Sequence, residues 1–162
     1  YNRGGDDMKK IWIGMMILLL CVACQSSSSD EQFQDYYQIK EQLITQHDFD
    51  KDYPFCVRVV FNRIEDVYRY DLIIDQPQVD MYYIEAMAYA NENDQNMCPV
   101  LGIVDDSISH LKVHYVDKSK HYYKGVQLSG QTTQVQSVKL YISYYLDEDK
   151  TERVEKYIEV EP

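Results

Sequence analysis

Positive charge is what this chain has least of: Lys and Arg number 16 against 27 Asp and Glu, a formal net charge of −11. That balance repels a phosphate backbone and anionic lipid surfaces, and it supplies no basic stripe for nucleic acid to follow. Nucleic acid is therefore excluded as a partner. Long apolar runs are lacking too. The most apolar stretch, Ile11 to Leu20, has ten residues, about half of what a membrane-spanning helix needs. No serine sits in a nucleophile-elbow motif, and Cys98, followed by Pro99, has no arranged His or Asn partner. The sequence names no catalytic residue and no cofactor.

What is present begins with Met8 to Cys24, MKKIWIGMMILLLCVAC. Lys9 and Lys10 precede the apolar run, and small Ala23 stands immediately before Cys24, the order of a cleaved secretory signal. Cys21-Val22-Ala23-Cys24 resembles the lipobox of bacterial lipoproteins with type II signal peptides, departing from it at Cys21, where Leu is usual. The resemblance covers 8–24 only. It implies cleavage after Ala23, a diacylglyceryl group on the Cys24 sulfur, and attachment to the extracytoplasmic face of the cell membrane. A single acyl chain anchors marginally, whereas several suffice, each buried CH₂ adding about 0.8 kcal/mol. Residues 1–7, YNRGGDD, fit neither signal nor domain. Arg-Gly-Gly-Asp can be encoded by AGA GGA GGT GAT, which contains a ribosome-binding consensus, so translation is expected to begin at Met8.

Removal of residues 1–23 takes away Arg3, Lys9, Lys10, Asp6 and Asp7, and leaves 13 basic and 25 acidic residues in a mature chain of 139. That length holds one domain and its core. It is too short for a two-lobed solute-binding protein. Of the four cysteines, Cys21 leaves with the signal and Cys24 is acylated, so Cys56 and Cys98 remain as a pair in an oxidising compartment. A disulfide between them is expected, with two buried thiols as the alternative.

Cys24 to Asp30 reads as the lipidated residue and a Ser-rich flexible tether. Residues 31–52 read as an amphipathic helix and linker, with Phe33, Tyr36, Tyr37, Ile39, Leu43 and Ile44 at helical spacing over 31–46. From 53 to 162 the period becomes two. Phe55, Val57, Val59 and Phe61 alternate with polar residues, as do Tyr68, Tyr70, Leu72 and Ile74. Met81 to Ala90, rich in Tyr and Ala on both faces, reads equally as a central strand or a helix. Further strands are expected over 99–104, 110–116, 121–128, 135–146 and 152–160, with turns at Asp105-Asp106, Asp117-Lys118, Ser129-Gly130 and Asp147-Glu148-Asp149. Short strands joined by turns describe a mainly β fold, an antiparallel immunoglobulin-like β-sandwich. Trp12 is the only tryptophan, so the Cys-Trp-Cys spacing of antibody domains is absent.

Three groups of residues have the composition of candidate sites. Asp48, Asp50 and Asp52 open like a calcium loop, but the required Gly position is Tyr53 and the bidentate Glu position is Val59. His110 and His114 have zinc spacing for a helix, yet on a strand they stand about 13 Å apart. They are expected to be surface histidines, as is His121, and no metal site is assigned. Tyr141 and Tyr145 share a strand face with Lys139 and Ser143 and are expected to point outward as an exposed aromatic binding face; ordinary cross-strand pairing is the competing use of such tyrosines.

The expected function is therefore a small extracytoplasmic, lipid-anchored binding or accessory module of the cell envelope, with an envelope protein or glycan as partner. The alternative is an envelope hydrolase or metal-dependent enzyme. Cys24→Ala is expected to leave an uncleaved precursor and to abolish labelling by a fatty-acid analogue. A variant that still labels and migrates as the mature species would overturn the lipobox assignment.

Overall fold

The computed structural model describes residues 28–90, 97–105 and 107–162. Residues 1–7, the signal peptide with Ala23, Cys24, residues 25–27 and the loop at 91–94 lie outside the described residues, as does Asp106. The chain divides into two units, 1–31 and 32–162, and all that follows concerns the second, apart from the first four residues of the helix. Within it the described residues form one helix and two antiparallel sheets packed as a sandwich.

Helix α1, Ser28–Thr45, points Tyr36, Ile39 and Leu43 inward at intervals of three and four. Tyr37 and Phe33, read with the same stripe, are instead exposed. The last turn is closed from outside the helix, because the Lys139 ammonium donates to the carbonyls of Ile44 (2.8 Å) and Gln46 (2.9 Å). A cation at helical C-terminal carbonyls is favoured by both hydrogen bonding and the helix dipole.

One sheet has the order β1 (Cys56–Ile64), β2 (Val67–Asp75), β7 (Gly125–Thr132). The other runs β4 (Val100–Leu101), β3 (Tyr82–Tyr89), β8 (Val138–Tyr145), β9 (Arg153–Val160). Two short parallel strands, β5 (His110–Leu111) and β6 (Tyr122–Tyr123), lie in the connection between β4 and β7 with a 3₁₀ turn at Lys118–Lys120. Val59, Tyr70, Leu72, Ile74, Val126 and Leu128 of the first sheet face Ile84, Ala86, Ala88, Leu140, Ile142, Tyr144 and Ile158 of the second. Each fully buried Leu or Ile there contributes about 1.5–3 kcal/mol.

The second sheet is covered on both faces. Its outer side carries Met87, Tyr89 and Tyr141, which pack with Tyr36 and Leu43 of α1 and with Cys98 and Ile103. Double burial makes β3 apolar at nearly every position, and a continuous apolar run has no period from which strand and helix can be told apart. The structure resolves this stretch as a strand, Tyr82–Tyr89.

Several expectations are corrected. Of 110–116 only His110–Leu111 is a strand, and 121–128 splits at Lys124 between β6 and β7. Ser129-Gly130 is no turn, since β7 continues through it to Thr132. The Cys56–Cys98 disulfide is overturned as well. No disulfide joins them: Cys56 is exposed on the outer face of the first sheet, and Cys98 is buried on the helix side of the second. Two packed sheets, about 10 Å apart, separate those faces.

Gly130 has a packing reason where a turn was expected. It pairs with Tyr70 across β2 and β7, and the Tyr70 ring lies over it, so an added Cβ would collide with the ring and its hydroxyl. Tyr70 is fully buried and has little room to move aside. Gly130→Ala is expected to destabilise the fold by about 1–3 kcal/mol. The reading is a lower urea midpoint with an unchanged slope.

Candidate functional site

The end of the sandwich that carries the β2–β3 connection and the β8–β9 turn gathers most of the unusual side chains. Their placement starts from the backbone. β3 and β8 are in register at Tyr82–Tyr145 and again at Glu85–Ser143, so two residues of β3 oppose one of β8, a β-bulge. Tyr83, inside the bulge, has φ of +51°, a left-handed conformation that costs a bulky residue about 1–3 kcal/mol. Around the bulge β3 also bonds to the 109–111 segment, with Ile84 N–H donating to Ser109 O (2.9 Å) and Met81 exchanging bonds with Leu111.

The bulge takes the Tyr83 N–H out of the strand ladder. It donates instead to Nδ1 of His110 at 2.9 Å. An N–H can meet only a lone pair, so Nδ1 is unprotonated and the ring proton sits on Nε2. His110 is therefore buried and structural, which corrects its expected place on the surface. Burial is the main cause holding its pKa below the ordinary 6.5, His121 and Lys150 act in the same direction, and Glu148 opposes them.

Aromatic rings collect around this imidazole. The His110 ring centroid lies 4.8 Å from Tyr83, 5.0 Å from Tyr122 and 5.7 Å from Tyr82, and Tyr115 meets Tyr122 edge-on at 5.2 Å. The Lys112 ammonium stands 5.8–5.9 Å from the centroids of Tyr82, Tyr115 and Tyr122, within cation–π range of all three. Lys150 covers the Tyr83 ring at 4.1 Å. The Tyr122 hydroxyl donates to Glu148 (2.8 Å), and desolvation together with that carboxylate pushes its pKa up to about 12. Tyr115 and Val116 remain exposed beside the cluster.

A groove continues from this end between α1 and the outer face of the second sheet. One part, of about 250 Å³, is lined by Asp35, Gln38, Gln42, Glu85, Arg153 and Glu155, among others; the adjoining part, of about 380 Å³, shares Asp35, Glu85 and Ile103 and reaches Tyr83 and Lys150. Arg153 organises the first part by donating to Glu85 (2.8 Å), the Ser143 hydroxyl (3.0 Å) and the Tyr141 hydroxyl (3.2 Å). Glu85 and Glu155, at 2.8 and 3.5 Å, are thus both opposed by one guanidinium. The arrangement holds both carboxylates in place.

The residues singled out from sequence fare differently. Tyr145 reaches the aromatic end, 6.3 Å from Tyr83. Tyr141 faces away from the sandwich core as expected, yet it is 2% exposed, because α1 covers it, and burial raises its pKa to about 12. The paired aromatic surface of Tyr141 and Tyr145 is corrected on that ground. His114 and His121 are exposed, and their φ values of +56° and +62° place them in turns. The Asp147 carboxylate accepts Thr151 N–H (3.0 Å), its hydroxyl (2.7 Å) and Glu152 N–H (3.1 Å), which closes the β8–β9 turn and brings Glu148 to Tyr122. Asp50 pins the linker to β9 through Lys156 (2.8 Å) and Tyr157 N–H (2.9 Å), while Asp48 and Asp52 are exposed. Among the described residues no group of three or more His, Cys, Asp or Glu is placed to hold a metal ion. Sequence reasoning missed Tyr82, Tyr83, Lys112, Tyr115 and Tyr122, whose one signal is the crowding of tyrosines beside expected turns.

The buried neutral imidazole makes stability depend on pH in one direction. The unfolded chain takes up the His110 proton first, below its ordinary pKa near 6.5, while the fold resists it because protonated Nδ1 cannot accept the Tyr83 N–H. Stability is full above that pH, falls as pH drops below it, and levels off beneath the lowered folded value. Urea midpoints measured from pH 7 to pH 5 are expected to fall less steeply for His110→Gln than for the native chain. Parallel curves would show that His110 does not titrate in this way.

Compared with protein-family models, with curated proteins and with solved structures, the chain matches none.

Proposed function

We propose that this protein is a small extracytoplasmic binding module of the cell envelope, held to the membrane by lipid on Cys24, which engages an envelope protein or glycan through the tyrosine-rich end of its sandwich. The observation that carries the reading is the exposed pair Tyr115 and Val116 set against the edge-to-face rings of Tyr122 and Tyr82 and the Lys112 ammonium. Flat apolar area with hydroxyls at its rim and one cation over its face suits sugar rings and protein hot spots alike. The role is binding, without catalysis.

The finer reading of the sandwich as immunoglobulin-like is supported by strand order. With β1, β2, β3, β7, β8 and β9 taken as strands A, B, C, E, F and G, the sheets read A-B-E and C-F-G, with β4 added beside C. Strand D of the immunoglobulin order has no counterpart among the described strands. In that order the B–C and F–G loops share the end that antibody variable domains use for recognition, and here that end carries the aromatic cluster. Fold analogy adds no ligand identity, which rests on the side chains alone.

The full lipoprotein, solubilised in detergent and immobilised, is expected to retain a partner from envelope membranes or isolated cell-wall glycan. Tyr115→Ala, at an exposed position, is expected to weaken retention about tenfold, the loss of one aromatic contact of roughly 1–1.5 kcal/mol. Equal retention by the variant and the native chain on both materials would sink the assignment of this surface.

A further inference from the structure

The free edges of the two sheets are not alike. β4 is only two residues long. β9 is covered by the linker, where Asp50 N–H donates to Tyr157 O (2.7 Å) and the Asp50 carboxylate takes the Tyr157 N–H. β7 presents Gln127, Ser129 and Gln131 to solvent and contains Gly125 and Gly130. β1 is different: nine residues, CVRVVFNRI, with neither Pro nor Gly, paired with β2 alone among the described strands. Its outer face exposes Cys56, Val60 (43%) and Ile64 (48%) between Arg58 and Asn62, and Val57 and Phe61 are only half-buried at the rim of the core. Natural sheets usually blunt so long and apolar an edge with a bulge, a proline or an inward charge.

We propose that β1 pairs with β1 of a second copy, antiparallel about a twofold axis at Val60, joining two three-stranded sheets into one of six strands. The self-complementarity of the strand argues for this occupant. In that register Val60 faces Val60, Val59 faces Phe61, Arg58 faces Asn62, Val57 faces Arg63 and Cys56 faces Ile64. All nine residues take part and no two like charges stand opposite each other. The Arg58 charge is already met by Asp75 within its own copy (2.8 Å). An axis between two residues would set the core face of one strand against the outer face of the other, because side chains alternate with period two. An isologous contact of this kind closes on itself at two copies, which removes the edge that would otherwise recruit further chains.

Cross-linking of the full chain tests the register. In a Cys56→Ser background, Val60→Cys places two thiols across the axis, at a Cα separation of about 4.5–5.5 Å that a disulfide spans. Asn62→Cys is the control on the same strand and face, since its thiols are offset by four residues, about 13 Å. Mild oxidation is expected to give covalent dimer from Val60→Cys and none from Asn62→Cys. Val60→Lys sets two ammonium groups face to face; the native chain is expected to sediment as a dimer and this variant as a monomer with unchanged circular dichroism. Equal cross-linking of the two cysteine variants, a native monomer, or a dimer that persists in Val60→Lys overturns the proposal.

Discussion

Tyr36 and Leu43 of α1 pack against Met87, Tyr89 and Tyr141, and without that contact the outer face of β3 and β8 would expose a row of large apolar side chains to water. Polar contacts set the position of the helix. The Tyr36 hydroxyl accepts the Cys98 N–H (2.8 Å), and Lys139 on β8 holds the helical C-terminus. The cost of burying these polar groups is offset because each meets a partner. From this follow the three layers of the domain, the buried state of Tyr141 and Cys98, and the groove that runs between helix and sheet.

The other end of β3 is ordered by the opposite circumstance, a backbone that departs from the ladder. Once the bulge turns the Tyr83 N–H away from β8, a buried donor needs an acceptor, and His110 supplies it from the β5 segment. Together with the backbone bonds of Met81 and Ile84, that bond holds the connection between β4 and β7 over the end of the sandwich, where its Tyr122 meets Tyr82 of β3 edge-on. Strain at Tyr83 and the buried imidazole are thus two sides of one arrangement. Binding surfaces are commonly built in this way, on loops held by a rigid sheet.

Much of the sheet was legible in the chain because one-sided burial leaves a period of two. Phe55, Val59, Tyr70, Leu72 and Ile74 alternate and are buried on the inner face as read. The pattern failed where burial is two-sided, as in β3, and where a residue serves a partner distant in sequence. Gly130 looked like a turn glycine but leaves room for Tyr70. Tyr141 was correctly turned away from the sandwich, yet nothing local could tell that α1 would lie over it. The Cys56–Cys98 pair failed for a related reason, since spacing along the chain does not say which outer face a cysteine occupies.

The aromatic end shows where local reading stops. Tyr82, Tyr83, His110, Lys112, Tyr115, Tyr122 and Tyr145 come from segments separated by loops and turns, and only packing brings them together. By itself the sequence determined the acidic balance, the mainly β character, the amphipathic helix ahead of the strands and the inward set of most of them, because each depends on residue type and on a short repeat. Tertiary structure alone decided which face the helix covers, where the strand bulges, which histidine is buried and which tyrosines meet. These depend on hydrogen bonds and contacts between residues far apart in the chain, for which a sequence carries no local period.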